Sequence, residues 1–263
     1  MARQNCERNG VDTSRIIIEE GDACMLMYNH RDDFSRYDVV DLDPYGTAAP
    51  FIDSAVQAVA DGGLLCITCT DTPVLCGTYP EKCFSLYGSV PLRSKYLHEQ
   101  ALRILLHSID AAANKYKRYI IPWVSVSVDF YVRVFVRVFE SPAEVKKSCL
   151  RRSHIYQSTR CPSFYLQPMA ANLKRDNFHG ATVTVPSVCE VTGGKLKIGG
   201  PIWSAPIHQQ DVVDDILKVC RSCVNIFVYI VTSHIMLSPQ WISLLIKSLL
   251  FYFYPYIDCH RLW

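Results

Sequence analysis

Apolar positions recur along this chain with a helical period in some stretches and as short continuous runs in others, and the switches between the two outline its elements. Residues 2–9 read as the end of a helix closed by Asn9-Gly10. Arg15-Ile16-Ile17-Ile18 predicts a short buried strand, and Gly21-Asp22 turns the chain into a helix over residues 23–30. Asp38 to Leu42 is a second apolar strand, ending in Asp43-Pro44-Tyr45-Gly46. Pro50 opens a helix whose Ile52, Ala55, Val56 and Val59 share one face, and Asp61-Gly62-Gly63 stops it. Leu64 to Cys69 is uninterrupted apolar sequence, as in a strand covered on both faces. Strands alternating with helices predict a parallel α/β sheet with crossover helices.

Residues 97–116 hold the strongest helical pattern, with Leu102, Leu105, Leu106, Ile109 and Ala113 as its stripe. Tyr119 to Phe139 reads as two strands rich in Val, Phe and Tyr, with Pro122 near the start of the first. In the second, Phe130, Val132, Val134, Val136 and Val138 alternate with Tyr131, Arg133, Phe135, Arg137 and Phe139. Residues 141–200 carry scattered Pro, Ser and Gly and predict a smaller module. From Val224 to Ile257 only Lys247 is charged, and Ser238-Pro239 splits the apolar run. Both pieces fall short of the roughly 20 residues that span a bilayer, so an atypical tail is favoured over a membrane hairpin and no stable membrane association is expected.

Composition alone excludes bulk disorder, collagen and coiled coil: 49% of the 263 residues are hydrophobic and 20% charged. The net charge of +2 conceals a split. Residues 1–92 carry 6 Lys/Arg against 14 Asp/Glu, whereas residues 93–160 carry 13 against 5. A segment with an excess of eight positive charges is an electrostatic footprint suited to phosphates, which the total hides. Twelve cysteines with no apolar run at the N-terminus suggest reduced thiols or metal ligands. The expected compartment is nuclear or cytoplasmic, with mitochondrial import left open.

Asp43-Pro44-Tyr45-Gly46 follows a predicted parallel strand, where open α/β sheets place their ligands. It varies a [DNS]-P-P-[YFW] pattern suited to methylating an exocyclic amine, having one proline and an earlier aromatic. A carboxylate or carbonyl there accepts the amine's N–H bonds, an aromatic ring stacks on the base, and proline fixes the backbone. The same tetrapeptide is also good turn chemistry. Asp22 is open to two readings as well: an acceptor for an adenine amino group, or a helix N-cap.

The two adjacent β-runs closing an α/β sheet resemble those of methyltransferases that use S-adenosylmethionine. More specifically, DVVDLDPYGTAAPFIDSAVQAVADGGLLCITCTD (38–71), HEQALRILLHSIDAAANKYKRYI (98–120), DFYVRVFVRVF (129–139) and GGPIWSAPIH (199–208) resemble the tRNA guanine-26 N2-dimethyltransferase family. The resemblance runs from about residue 2 to about residue 210. It implies a Rossmann-like class I methyltransferase sheet, without its first strands, followed by a smaller C-terminal α+β module. The implied organisation is a partial methyltransferase domain over 1–140, the start of a tRNA-binding module over 141–210, and an atypical hydrophobic tail over 211–263. It implies transfer of one or two methyl groups, mono- then dimethylation, from S-adenosylmethionine to the N2 amine of guanine 26 in tRNA by a monomer. Asp43 would be the catalytic carboxylate, the Pro44 carbonyl would hold the amine, and Tyr45 would stack on the guanine. Asp22 and Ala23 match the family's adenine-contacting pair. Phosphate contacts would come from Arg93, Lys95, Lys115, Lys117 and Arg118, with Lys146, Lys147, Arg151 and Arg152 as weaker candidates.

Three departures qualify these implications. The strand and turn that grip the cofactor's methionine and ribose in the family would lie upstream of Ala2, so weak or absent cofactor binding is expected for this polypeptide. The family's two C-x-x-C zinc-binding pairs read Ser158-Thr-Arg-Cys161 and Cys189-Glu-Val-Thr192 here. Cys161 and Cys189 are therefore remnants of a four-cysteine site, and two thiolates cannot close it. The intact Cys220-Arg-Ser-Cys223 lies past the matching blocks, as does the apolar tail. An enzyme is the leading reading, and a tRNA-binding fragment without methyl transfer is the alternative. A DNA or protein amine methyltransferase is disfavoured by the basic segment and the long family blocks.

Overall fold

A computed structural model of the protein describes residues 2–10, 16–172 and 178–223. The chain divides into two compact units, Met1–Ala23 with Gln210–Trp263 and, separately, Cys24–Gln209.

In the first unit, α1 (Ala2–Arg8) is closed by the Asn9-Gly10 turn, with Gly10 at φ +60°. Residues 16–20 lie outside every strand, and Ile17 is 86% exposed, so the predicted Ile16–Ile18 strand does not form. Local apolar character cannot make a strand where no sheet takes up the run. A mixed-charge helix, α8 (Gln210–Cys223), buries Val212 and Ile216. The apolar run beyond it lies outside the described residues, as do the side chains of Cys220 and Cys223. Among the described residues no helix is long and apolar enough to cross a membrane.

The second unit opens with α2 (Ala23–Asn29) and is built on a four-stranded sheet of order β1-β2-β4-β3. Strand β1 (Tyr37–Leu42) runs parallel to β2 (Val59–Cys69), with Val39 opposite Leu64 and Leu42 opposite Ile67. The helix between them, α3 (Ala49–Ala58), makes the expected crossover with Pro50 in its first turn. Asp61-Gly62-Gly63 does not separate α3 from β2; the strand starts at Val59 and runs through the glycines. A Cβ on Gly63 would stand 2.9 Å from the Asp38 carbonyl oxygen, so glycine is what allows β1 to approach there.

Strands β3 (Arg118–Val128) and β4 (Tyr131–Glu140) form an antiparallel hairpin, and β4 pairs antiparallel to β2 from Gly63↔Val138 to Cys69↔Val132. Phe130 belongs to the turn rather than the alternation, and is 83% exposed. Pro122 sits on β3, the sheet's edge strand, beside a bulge between Pro122 and Val124. This register places the carboxyl ends of β1 and β2 and the Asp129-Phe130 turn at one edge of the sheet. Arg118 and Glu140 lie at the other, about 20 Å away over six residues of strand.

Two short helices, α4 (Thr72–Leu75) and α5 (Pro80–Tyr87), lead to α6 (Leu97–Asn114). The predicted stripe of α6 is buried, and so are Ala101, Ile104 and Ala112. The helix packs on β3 and β4 and also on β9 (Leu196–Trp203) of a second sheet, which explains why its apolar face is wider than one stripe.

The module that follows begins with α7 (Pro142–Lys146), capped by the Ser141 hydroxyl, which accepts from the Glu144 N–H at 3.3 Å. A 3-10 turn leads into a three-stranded antiparallel sheet of order β6-β5-β9, made from β5 (Arg152–Ser158), β6 (Phe164–Pro168) and β9 (Leu196–Trp203). A small ladder joins β7 (Ala170–Asn172) to β8 (Phe178–Gly180). Ile155, Ile202 and Trp203 share one core with the larger sheet.

Candidate active site at the carboxyl edge of the sheet

Asp43 is the first residue after β1, at the edge where the parallel strands end. The loop it begins is fixed to the end of β2 by a reciprocal pair of hydrogen bonds. The Gly46 N–H donates to Thr70 Oγ1 at 2.8 Å, and the Thr70 N–H donates to the Gly46 carbonyl at 2.8 Å. Gly46 takes φ +88°, a left-handed conformation that favours glycine. The tetrapeptide is therefore a turn and a presenting loop at once. Asp43 is exposed, Pro44 half-buried and Tyr45 107% exposed, its ring entirely available to a partner.

Further residues, none of them singled out from the sequence, stabilise this edge. The buried Tyr87 hydroxyl lies 2.6 Å from Thr47 Oγ1 and donates to Asp71 at 2.9 and 3.1 Å. Thr47 in turn accepts from the Ala49 N–H at the start of α3, at 3.2 Å. Burial pushes the Asp71 carboxyl above its ordinary range, against the Tyr87 hydrogen bond. Thr70 and Asp71 follow β2 as Asp43 follows β1, so the strand-end rule that singled out Asp43 would have found them. On β4, Arg133 reaches across to Asp41 and Thr68. Tyr131 at the hairpin turn has its hydroxyl raised by burial, with the Asp129 and Asp43 carboxylates adding to the effect against Arg133.

Asp22 and Ala23, both exposed, stand at the start of α2, Ala23 as its first residue.

The basic candidates do not form one surface. Arg93 and Lys95 are exposed ahead of α6, at the end where His98 Nδ1 lies 3.3 Å from Ser127 Oγ near the hairpin turn. Lys115 and Lys117 follow α6, whose 18 residues span about 27 Å, and lie at the opposite edge of the sheet from Asp43. Lys115 Nζ is 3.6 Å from Asp53 Oδ1. Arg118 corrects the expectation for it: the side chain is 1% exposed and donates to the Val56 carbonyl and, at 2.9 Å, to the Ala60 carbonyl. It closes the end of α3 rather than offering a charge to a phosphate. Arg152 is likewise engaged, 2.8 Å from the buried Asp110 carboxylate. Lys147 and Arg151 pair with Glu144 at 2.6 and 3.1 Å, and Lys146 is exposed.

The four positions of the two C-x-x-C pairs do converge. Cys161 Sγ lies 3.5 Å from Cys189 Sγ and 4.0 Å from Thr192 Oγ1. Hydrogen bonding from the Ser158 hydroxyl lowers the Cys161 thiol, and with the Thr192 hydroxyl brings Cys189 down to about 6. Two thiols and two neutral hydroxyls do not fit a closed structural zinc site, which needs four charged or imidazole donors. Among the described residues no group of three or more His, Cys, Asp or Glu could hold a metal ion.

The family model described as N2,N2-dimethylguanosine tRNA methyltransferase matches residues 1–231. The chain belongs to this family. The match continues through α8, whose mixed-charge sequence continues the family pattern past residue 210. Among relatives, the chain is 51% identical over 225 residues to tRNA (guanine(26)-N(2))-dimethyltransferase 1 of Arabidopsis thaliana, covering 84% of this chain and 37% of that protein. It is 47% identical over 224 residues to the tRNA (guanine(26)-N(2))-dimethyltransferase of Mus musculus, covering 82% and 33%. The structure of Trm1 from Pyrococcus horikoshii with S-adenosyl-L-methionine superposes with a TM-score of 0.65 at 28% identity, covering 78% of this chain and 49% of that one. This likeness establishes the class I methyltransferase sheet with its smaller α+β module. The chain thus spans 37% and 33% of the length of these two curated relatives.

Proposed function

We propose that this chain transfers methyl groups from S-adenosylmethionine to the N2 amine of guanine 26 in tRNA, first one and then a second, and acts as a monomer. The observation that carries this reading is the Asp43–Gly46 loop. It is braced to the end of β2 and presents an exposed carboxylate beside an exposed aromatic ring at the edge where such sheets bind ligands.

The N2 amine of guanine is conjugated with its ring and is a poor nucleophile. The Asp43 carboxylate accepts one of its N–H bonds, which favours a lone-pair-bearing nitrogen and gives the proton a destination as the new N–C bond forms. The Pro44 carbonyl, on a backbone fixed by the proline ring, takes the second N–H. Tyr45 holds the extruded base by stacking, at little cost because the ring is already exposed. S-adenosylmethionine, when bound, supplies an electrophilic methyl group. The exposed Asp22 carboxylate fits an adenine amino group as acceptor, with Ala23 beside it leaving room for the ring. Arg93 and Lys95 contribute phosphate contacts on the side of the reacting loop. The free thiols among the described residues suit a reducing nuclear, cytoplasmic or mitochondrial compartment.

The test is incubation of the chain with labelled S-adenosylmethionine and an unmodified tRNA transcript carrying G26, followed by nucleoside analysis. Label in N2-methylguanosine that Asp43→Ala abolishes supports the enzyme. Retained tRNA binding with no label supports a tRNA-binding fragment instead.

A further inference from the structure

The end of the second sheet carries side chains that methyl transfer does not use. Ser158 ends β5 and Cys161 follows three residues later, while Cys189 and Thr192 face them from the loop before β9. Both thiols are held by their backbones. The Cys189 N–H donates to the Gly194 carbonyl at 2.8 Å, and the Gly193 N–H donates to the Cys189 carbonyl at 2.7 Å. The Gln157 amide donates to the Cys161 carbonyl at 3.0 Å, and the Thr159 N–H reaches across to the Lys195 carbonyl at 3.0 Å. Two sulfurs 28 residues apart in sequence are thus brought to 3.5 Å by two hydrogen-bonded turns on adjacent strands.

We infer that Cys161 and Cys189 form a reversible disulfide that links the ends of β5 and β9 in response to oxidation. The sulfurs need to close from 3.5 Å to about 2.05 Å, a distance that side-chain rotation covers. The oxidant is a low-molecular-weight disulfide. Cys161, the more exposed of the two, attacks it as a thiolate, forms a mixed disulfide and releases one small thiol. Cys189, 1% exposed and already in contact, then attacks the Cys161 sulfur and releases the second small thiol. The two protein S–H bonds are replaced by one S–S bond, their protons go to the two released thiols, and the two electrons reduce the oxidant's S–S bond. Excess small thiol reverses both steps. At the other two corners stand hydroxyls, and among the described residues no third sulfur contacts the pair.

The experiment treats the purified full chain with oxidised glutathione, blocks free thiols with iodoacetamide, and maps the unreduced digest by mass spectrometry. The expected result is one peptide pair joined through Cys161 and Cys189 that separates on reduction, with glutathione on the half-exposed Cys149 as the control. Cys189→Ser should trap glutathione on Cys161. The wild-type map stands by itself if that variant does not fold. Alkylation of both Cys161 and Cys189 while Cys149 carries glutathione would overturn the inference. So would near-stoichiometric zinc in the purified protein that Cys161→Ser releases.

Discussion

Arg133 on β4 holds Asp41 on β1 across the intervening strand. Its Nη2 donates to Asp41 Oδ1 at 2.9 Å and to Oδ2 at 2.8 Å, while Nη1 donates to Thr68 on β2. The arginine side chain is 7% exposed, and Asp41 lies in the last two residues of β1, just before the loop that Asp43 begins. On the proposed function, Arg133 acts through Asp41 as a positioning residue for the Asp43–Gly46 loop. Asp41→Asn leaves the buried guanidinium with a weaker partner and is expected to cost roughly 1–3 kcal/mol in urea unfolding. In the tRNA methylation assay it should lower kcat more than it raises KM. A purely structural role would lower the amount of folded enzyme and leave kcat per folded molecule unchanged.

Arg118 and the pair Arg93 and Lys95 were grouped by charge and are separated by burial. Arg118→Met removes two hydrogen bonds to backbone carbonyls and strands both acceptors, so a stability loss on the order of 2–4 kcal/mol is expected, with no change in the salt dependence of tRNA binding. Arg93→Ala with Lys95→Ala should change stability by less than about 0.5 kcal/mol and reduce the salt slope of binding by roughly one to two. Filter binding over a salt series, beside denaturation curves, separates the two behaviours.

Tyr87→Phe deletes a buried hydroxyl that serves Asp71 and Thr47 together. It is expected to destabilise the chain by about 1–3 kcal/mol, because two partners lose a bond in a half-buried place. Since that hydrogen bond holds the Asp71 carboxyl down against burial, its pKa should rise further in the variant. Carboxyl chemical shifts followed over pH measure this directly.

His107 on α6 is buried, its Nδ1 has no hydrogen-bond partner among the described residues, and burial brings its pKa down to about 4, with Arg152 and His154 adding to the shift. The unfolded chain, with an ordinary histidine near 6.5, binds this proton first as pH falls. Folding stability should therefore decline as pH drops from 6.5 towards 4, by roughly 3 kcal/mol across that window. His107→Leu is expected to flatten this part of the stability profile. An unchanged slope in the variant would exclude His107 as the source.

The predicted helices and strands that hold in the structure are those whose pattern met a partner. The Leu102 to Ala113 stripe, the run from Leu64 to Cys69, and Val40 and Leu42 of the strand before Asp43 became core because sheet and helix cover them. Ile16–Ile18 had the same local character and is not a strand, since apolar sequence does not specify what lies beside it. Gly62 and Gly63 predict a stop and are strand instead, because Gly63 lets Asp38 approach where a Cβ would clash and Gly62 takes a φ of +68°.

The sequence by itself determined the type of sheet and the place of the Asp43–Gly46 tetrapeptide at a strand end, because each rests on local pattern and residue identity. Tertiary structure decided which basic residues share an edge with that loop, that Arg118 is a buried strut, and that Asp41, Thr70, Asp71 and Tyr87 support the site. It also set the sulfurs of the two half-pairs, Cys161 and Cys189, 3.5 Å apart. Charge, hydrogen bonding and thiol chemistry all act over a few ångströms, and residues 28 or 92 positions apart reach that distance only through the register of strands and the length of a helix.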